Sequence, residues 1–280
     1  MMSSDFVVHH DRVTAPGADP NKWMLILHGI LGSGSNWRSF GRRLAQDLPS
    51  WGFVLVDLRA HGQSTHAPPP HSVQSAADDL IRLEGRLGVR VNAVLGHSFG
   101  GKVALALADQ NPTRLEQVWV LDSQPGSKLE ELNSARTAAV VRMLEQMPGV
   151  LPSRERFVEI VEEQGHDRMF AAWLAMNLRR ADDGYRLRVD MSAIRALFES
   201  YYRTDLWHVV ETHTKAQDMR FVIGGRSEVI GPEDRARLQA IAAREPHVSL
   251  HILENAGHWL HVDDPEGLYS VVRRGIASEI

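Results

Sequence analysis

No cysteine occurs anywhere in the 280 residues. That excludes a disulfide framework, a thiolate metal site and a thiol nucleophile. Positive charge is not in excess either. The 31 Lys and Arg residues are outnumbered by 35 Asp and Glu, a formal net charge of -4. No basic field exists to meet phosphates, so no nucleic-acid partner is expected. No apolar run reaches the roughly 18 residues of a membrane span. The opening stretch, Met1-Met-Ser-Ser-Asp-Phe-Val-Val-His-His10, lacks both a basic start and an apolar block. It does not read as a secretory signal, and the cytoplasm is the default location. P-loop and H-E-x-x-H patterns are missing too, so no metal or cofactor is expected. Charged doublets such as Arg42-Arg43 and Arg179-Arg180 are too short to be more than solvated faces.

What is present is an alternation. Short apolar runs occur at Met24–Leu27, Phe53–Val56, Val91–Leu95, Val118–Leu121, Arg220–Ile223 and Val248–Leu253. They end at Gly, Asp or polar turns and lack polar alternation, as strands buried on both faces do. Stretches with helical character lie between them: Asn36–Leu48 behind a Ser35 or Asn36 cap, Ser72–Leu87, Gly100–Asp109 ending at Asn111-Pro112, Pro232–Ala243 and Pro265–Ile276. Alternating strands and helices predict an α/β fold, with a mostly parallel central sheet and helices on both faces. Ligands in such sheets bind beyond the carboxyl ends of the strands.

One interval breaks the rhythm. Between Asp122 and Arg220 no run reads as a core strand, while Leu132–Met147, Arg154–Gln164, Arg168–Arg180 and Met191–Tyr202 read as helices. A connection of that length needs structure of its own. The expected organisation is a core of residues 1–122 and 219–280, with residues 123–218 inserted before the penultimate strand as a mostly helical cap. Its aromatics (Phe170, Trp173, Phe198, Tyr201, Tyr202, Trp207) either line a substrate pocket or form the cap's own small core. For any single one, the second reading is preferred.

The densest chemical signal is Gly96-His-Ser-Phe-Gly100, between an apolar run and the helix-forming Lys102-Val-Ala-Leu-Ala-Leu-Ala108. Strand, sharp turn and helix with a serine at the apex is the setting of a nucleophile elbow. Glycines on both sides remove Cβ atoms that a strained turn cannot hold. A serine hydroxyl needs a base, and a histidine held by an acid is the usual one. Of the 14 histidines, His258 stands out. It follows the last apolar run, within Asn255-Ala-Gly-His-Trp259, at the same sheet edge as Ser98. Others, such as His9 and His166, have no special context, and His28 and His61 read as structural.

Two acids compete as partner of His258. Asp122 ends the strand before the inserted segment, and Glu228 follows the next strand in Gly224-Gly-Arg-Ser-Glu228. Asp122 is favoured for its shorter, stiffer side chain, and Glu228 is the alternative. Asp57 is expected to pair locally with Arg59. An oxyanion hole needs two N–H donors. Phe99, directly after the serine, supplies one. Ile30, with Leu31 next in order, supplies the other from the glycine-rich loop after His28-Gly29.

These segments together resemble the α/β-hydrolases from about Trp23 to Ile280. The likeness rests on His28-Gly-Ile-Leu-Gly-Ser33, Asp57-Leu-Arg-Ala-His-Gly-Gln-Ser64, Gly96-His-Ser-Phe-Gly-Gly101, Gly224-Gly-Arg-Ser227 and Asn255-Ala-Gly-His-Trp259. With Asn177-Leu-Arg-Arg, they look most like YbfF-type serine esterases and their mitochondrial relatives. The resemblance implies hydrolysis of a small acyl ester or thioester through an acyl-enzyme, without a cofactor. It also implies an acid after the strand before the cap, which matches Asp122, whereas an acid at Glu228 departs from that subfamily. A ligand-binding receptor on the same fold is the alternative of a different class. Hydrolysis of a lactone, amide or C–C bond is the alternative of the same class. Oligomeric state has no sequence signal.

Overall fold

The computed structural model describes residues 6–110, 114–132, 136–212 and 217–277. The first half of the chain alternates as its hydrophobic pattern requires. Strand β1 (His10–Val13) precedes β2 (Lys22–Leu27), helix α1 (Arg38–Asp47), β3 (Trp51–Val56), α2 (Val73–Leu87), β4 (Ala93–His97), α3 (Phe99–Gln110) and β5 (Gln117–Leu121). Helix α2 starts where Ser72 accepts from the Ser75 amide and stops at Gly88, a left-handed residue with φ 68. Asn111 and Pro112, expected to stop α3, lie outside the described residues.

After β5 the chain leaves the sheet. It passes through α4 (Arg136–Glu145), α5 (Arg154–Glu163), α6 (Arg168–Leu174), the hairpin β6 (Leu178–Ala181) and β7 (Gly184–Leu187), α7 (Met191–Arg203) and α8 (Trp207–Glu211). It returns with β8 (Asp218–Gly224), α9 (Pro232–Arg244), β9 (Val248–Leu253), α10 (Leu260–Asp263) and α11 (Pro265–Ala277). The large sheet runs β1-β3-β2-β4-β5-β8-β9. All its pairings are parallel except that of the edge strand β1 with β3. Fully buried strands such as β3, β4 and β5 carry apolar side chains into cores on both faces. This is the α/β-hydrolase architecture, with helices on both faces of a mostly parallel sheet.

Two expectations need correction. Arg168–Arg180 is not one helix: α6 ends at Leu174, and a 3-10 turn over Ala175–Asn177 leads into β6. The cause is pairing that local composition does not reveal. Leu178 stands opposite Leu187, Gly184 turns the hairpin at φ 141, and Tyr185 bridges to Leu151. Likewise α1 begins at Arg38, because Gly34–Trp37 first makes a 3-10 turn capped by Ser33.

The exit from the sheet is tied to the return. Lys102, fully buried on α3, donates to the carbonyl oxygens of Gly126 (2.7 Å), Tyr201 (2.8 Å) and Thr204 (3.1 Å). Its ammonium also lies 4.3 Å from the Tyr201 ring centroid. Burial pushes this amine down to about 7, partly offset by the Asp205 and Asp234 carboxylates.

Candidate active site

Parallel register sets the site. His97 at the end of β4 stands opposite Leu121 at the end of β5, so Ser98 and Asp122 leave adjacent strands at one level. Both take left-handed backbone conformations, φ 54 for Ser98 and φ 43 for Asp122, as expected of strained functional turns. Space explains the flanking glycines. A Cβ on Gly96 would lie 2.0 Å from the Gly100 oxygen, and one on Gly100 would lie 2.7 Å from the His28 oxygen.

The loop after β9 brings His258 to the serine. His258 Nε2 lies 3.1 Å from Ser98 Oγ, and Nδ1 lies 2.7 Å from Asp122 Oδ2. An ionised carboxylate only accepts, so Nδ1 carries the proton and Nε2 is left to accept from the serine hydroxyl. Asp122 is fully buried, yet its oxygens are well supplied. Oδ1 accepts from the Gly224 amide (3.1 Å), and Oδ2 accepts from the Ser227 hydroxyl as well as from His258. Glu228 lines the same cavity, but the Nδ1 position of His258 faces Asp122. Of the two acids, Asp122 is the one brought within hydrogen-bond distance of Nδ1.

Three dry imidazoles hold the surrounding loops. His97 donates from Nε2 to the His258 carbonyl at 2.7 Å. His28 donates to the Gly29 carbonyl (2.7 Å) and accepts from the Leu58 amide (2.9 Å). His61 donates to the Arg59 carbonyl and accepts from the Leu31 amide, both at 2.9 Å. Each accepting nitrogen requires a neutral ring. Burial supplies the reason, pushing His28 down to about 4 and His61 down to about 3, with His28 adding to the shift at His61. Burial and the neighbouring His258 also hold His97 well below its usual range.

The two loop amides differ in their partners. His61 occupies the Leu31 N–H, whereas the Ile30 N–H has no partner among the described residues. Phe99 opens α3, so its amide has no preceding helical carbonyl to bond. Ile30 and Phe99 are thus the amides available beside Ser98. Asp57 does not pair with Arg59 as expected. It receives the amides of Gly34 and Gln63, both at 2.8 Å, while Arg59 reaches Asp79 on α2 at 2.7 Å.

Ser98 and His258 open into a cavity of ≈650 Å³. Phe170, Trp173 and Tyr202 line it, as does Trp259, whose ring centroid lies 4.5 Å from that of Trp173. Phe198, Tyr201 and Trp207 are instead buried in the protein core. His166, which has no special sequence context, also faces the cavity and packs 4.9 Å from the Phe170 ring. A second cavity of ≈220 Å³ borders the loop at Leu31–Asn36 but contains none of Ser98, Asp122 and His258. Among the described residues, no group of three or more His, Asp or Glu could hold a metal ion. Nor is any helix among them long and apolar enough to cross a membrane.

Sequence reasoning missed several contributors. Ser227 lies in a quoted motif, but its role depends on β5 and β8 being neighbours. Gln124, which lines the cavity, and the anchoring of Lys102 have no local signature at all.

A family model described as "alpha/beta hydrolase fold" matches residues 22–265. The sn-1-specific diacylglycerol lipase ABHD11 of Danio rerio is 29% identical over 251 residues, covering 86% of this chain and 74% of that protein. Esterase YbfF of Escherichia coli (strain K12) is 23% identical over 261 residues, covering 93% and 95% of the two chains. Among solved structures, a marine microorganism esterase superposes with a TM-score of 0.81 at 22% identity, covering 96% of this chain and 98% of its own.

Proposed function

The chain belongs to the α/β-hydrolase family, and from that premise we propose that it is a serine esterase or thioesterase acting on a small acyl substrate. Residues 123–218 serve as a cap over a core of residues 1–122 and 219–280. Ser98 Oγ attacks the carbonyl carbon as His258 Nε2 takes its proton. Asp122 orients the imidazole and offsets the charge it gains. The Phe99 and Ile30 amides donate to the oxyanion. Collapse expels the alcohol or thiol, protonated by His258, and leaves Ser98 acylated. Water then repeats the sequence in reverse roles and releases the acid, so water is the only co-reactant.

The observation that carries this reading is the chain of contacts from Ser98 Oγ through His258 to Asp122, at 3.1 and 2.7 Å. The esterase and lipase names of the relatives support acyl-ester chemistry. On p-nitrophenyl butyrate, Ser98→Ala lowers kcat/KM by roughly 10³-fold or more. A fluorophosphonate labels the native chain at Ser98 and spares the variant. Retention of most activity by Ser98→Ala overturns the assignment.

A further inference from the structure

Gln124 follows the acid by two positions and lines the reaction cavity. It is only 1% exposed, and neither its Oε1 nor its Nε2 has a hydrogen-bond partner among the described residues. A buried amide left unpaired on both atoms is costly, and such groups are rare in folded proteins. Local disorder does not explain it, because the backbone here is pinned from several sides. The Gln124 amide donates to the Tyr201 hydroxyl at 3.4 Å, the Pro125 carbonyl accepts from the Leu206 amide at 2.9 Å, and the Gly126 carbonyl accepts from Lys102.

We propose that Gln124 is a specificity determinant that binds a neutral donor–acceptor group of the substrate, a hydroxyl or an amide, beside the ester to be cleaved. This rests on the serine-hydrolase reading above. The side chain itself sets the chemistry: Oε1 needs a donor and Nε2 needs an acceptor. An anion satisfies only Nε2 and is set against Oε1, while a cation satisfies only Oε1. The rest of the lining also disfavours an anion, since Glu131 and Glu228 outnumber Arg226 there. Both atoms are closed off from the cavity in the ligand-free structure, so the amide turns toward the substrate as it binds, and a group that both donates and accepts then satisfies the two atoms together. Rejection then falls on plain alkyl substrates, which bury Gln124 without pairing it.

The test compares matched esters. Ethyl 3-hydroxybutyrate is set against ethyl butyrate, ethyl N-acetylglycinate against ethyl pentanoate, and 2-hydroxyethyl butyrate against propyl butyrate. These arms separate hydroxyl from amide and the acyl side from the alcohol side. In at least one pair the polar ester is preferred in kcat/KM by about tenfold or more, and Gln124→Leu brings that ratio close to one. The ligand-free Gln124→Leu protein melts at the native temperature or higher, because two unpaired buried atoms have been removed. Ratios near one in the native enzyme, a preference that survives Gln124→Leu, or a fall of several degrees in its melting temperature each overturn the proposal. If the native enzyme cleaves plain esters without preference, only the role of Gln124 fails. If it cleaves no ester, the serine-hydrolase reading fails with it.

Discussion

The sheet edge that carries Ser98 and the segment above it, residues 123–218, are built on opposite plans. At the edge the main chain does the positioning. Leu31, Ala60, Ser98 and Asp122 all hold positive φ, glycines fill spaces that admit no Cβ, and neutral imidazoles bind amides of neighbouring loops. In the segment, side chains do the positioning. Helices pack apolar faces inward and carry exposed ion pairs outward, such as Arg156 with Glu159 and Glu163, and Arg168 with Glu155 and Glu162. Solvent screens such exposed pairs, so they add little to stability. The difference is one of means: the edge is held by strained backbone, close-packed glycines and buried imidazoles, and the segment by side-chain packing and exposed ion pairs.

The sharpest test of the edge is to neutralise in turn the two acids that follow β5 and β8. Asp122→Asn is expected to lower kcat by about 10⁴-fold with the fold intact, because the imidazole loses its orienting carboxylate. Glu228→Gln is expected to cost about tenfold or less. Steady-state kinetics on p-nitrophenyl butyrate checks both, and the reverse order would move the acid to β8.

Acid tests whether the edge governs stability. His28, His61 and His97 belong to it, and their folded-state values lie below the ordinary 6.5. As pH falls below about 6.5 the unfolded chain takes up protons that the folded chain refuses. Stability is therefore complete above that value and is lost progressively as pH falls toward 4. Urea unfolding between pH 7 and 4.5 should show this steep slope, and a flat profile would contradict the neutral, buried imidazoles.

Two substitutions then contrast backbone with side chain. Gly96→Ala forces a methyl into the Gly100 carbonyl and should cost about 3 kcal/mol of stability, read by urea or thermal unfolding. Trp173→Ala, in the segment, should change kcat/KM by about tenfold or less and act mainly through KM. If Trp173→Ala were as damaging as Asp122→Asn, the separation between edge and segment would collapse.

The same division explains what could be read from the sequence. The six core strands were legible because burial on both faces demands unbroken apolar runs. β1 was not, since a half-exposed edge strand reading His-Asp-Arg-Val needs no such run. The β6–β7 hairpin was hidden because Leu, Arg and Ala also suit a helix, and its pairing is settled by Leu151 and Leu187. Ser98 and His258 were legible because glycines and strand ends mark them locally. Ser227, Gln124 and the Arg59–Asp79 pair were not, because each depends on segments that meet only after folding.

Lys102 has one more consequence. A three-pronged donor in a dry place cannot give up one prong cheaply, since the abandoned carbonyl would be left buried without a partner. The outgoing and incoming stems of the segment are riveted to the helix behind the nucleophile as a unit, and they part all together or not at all.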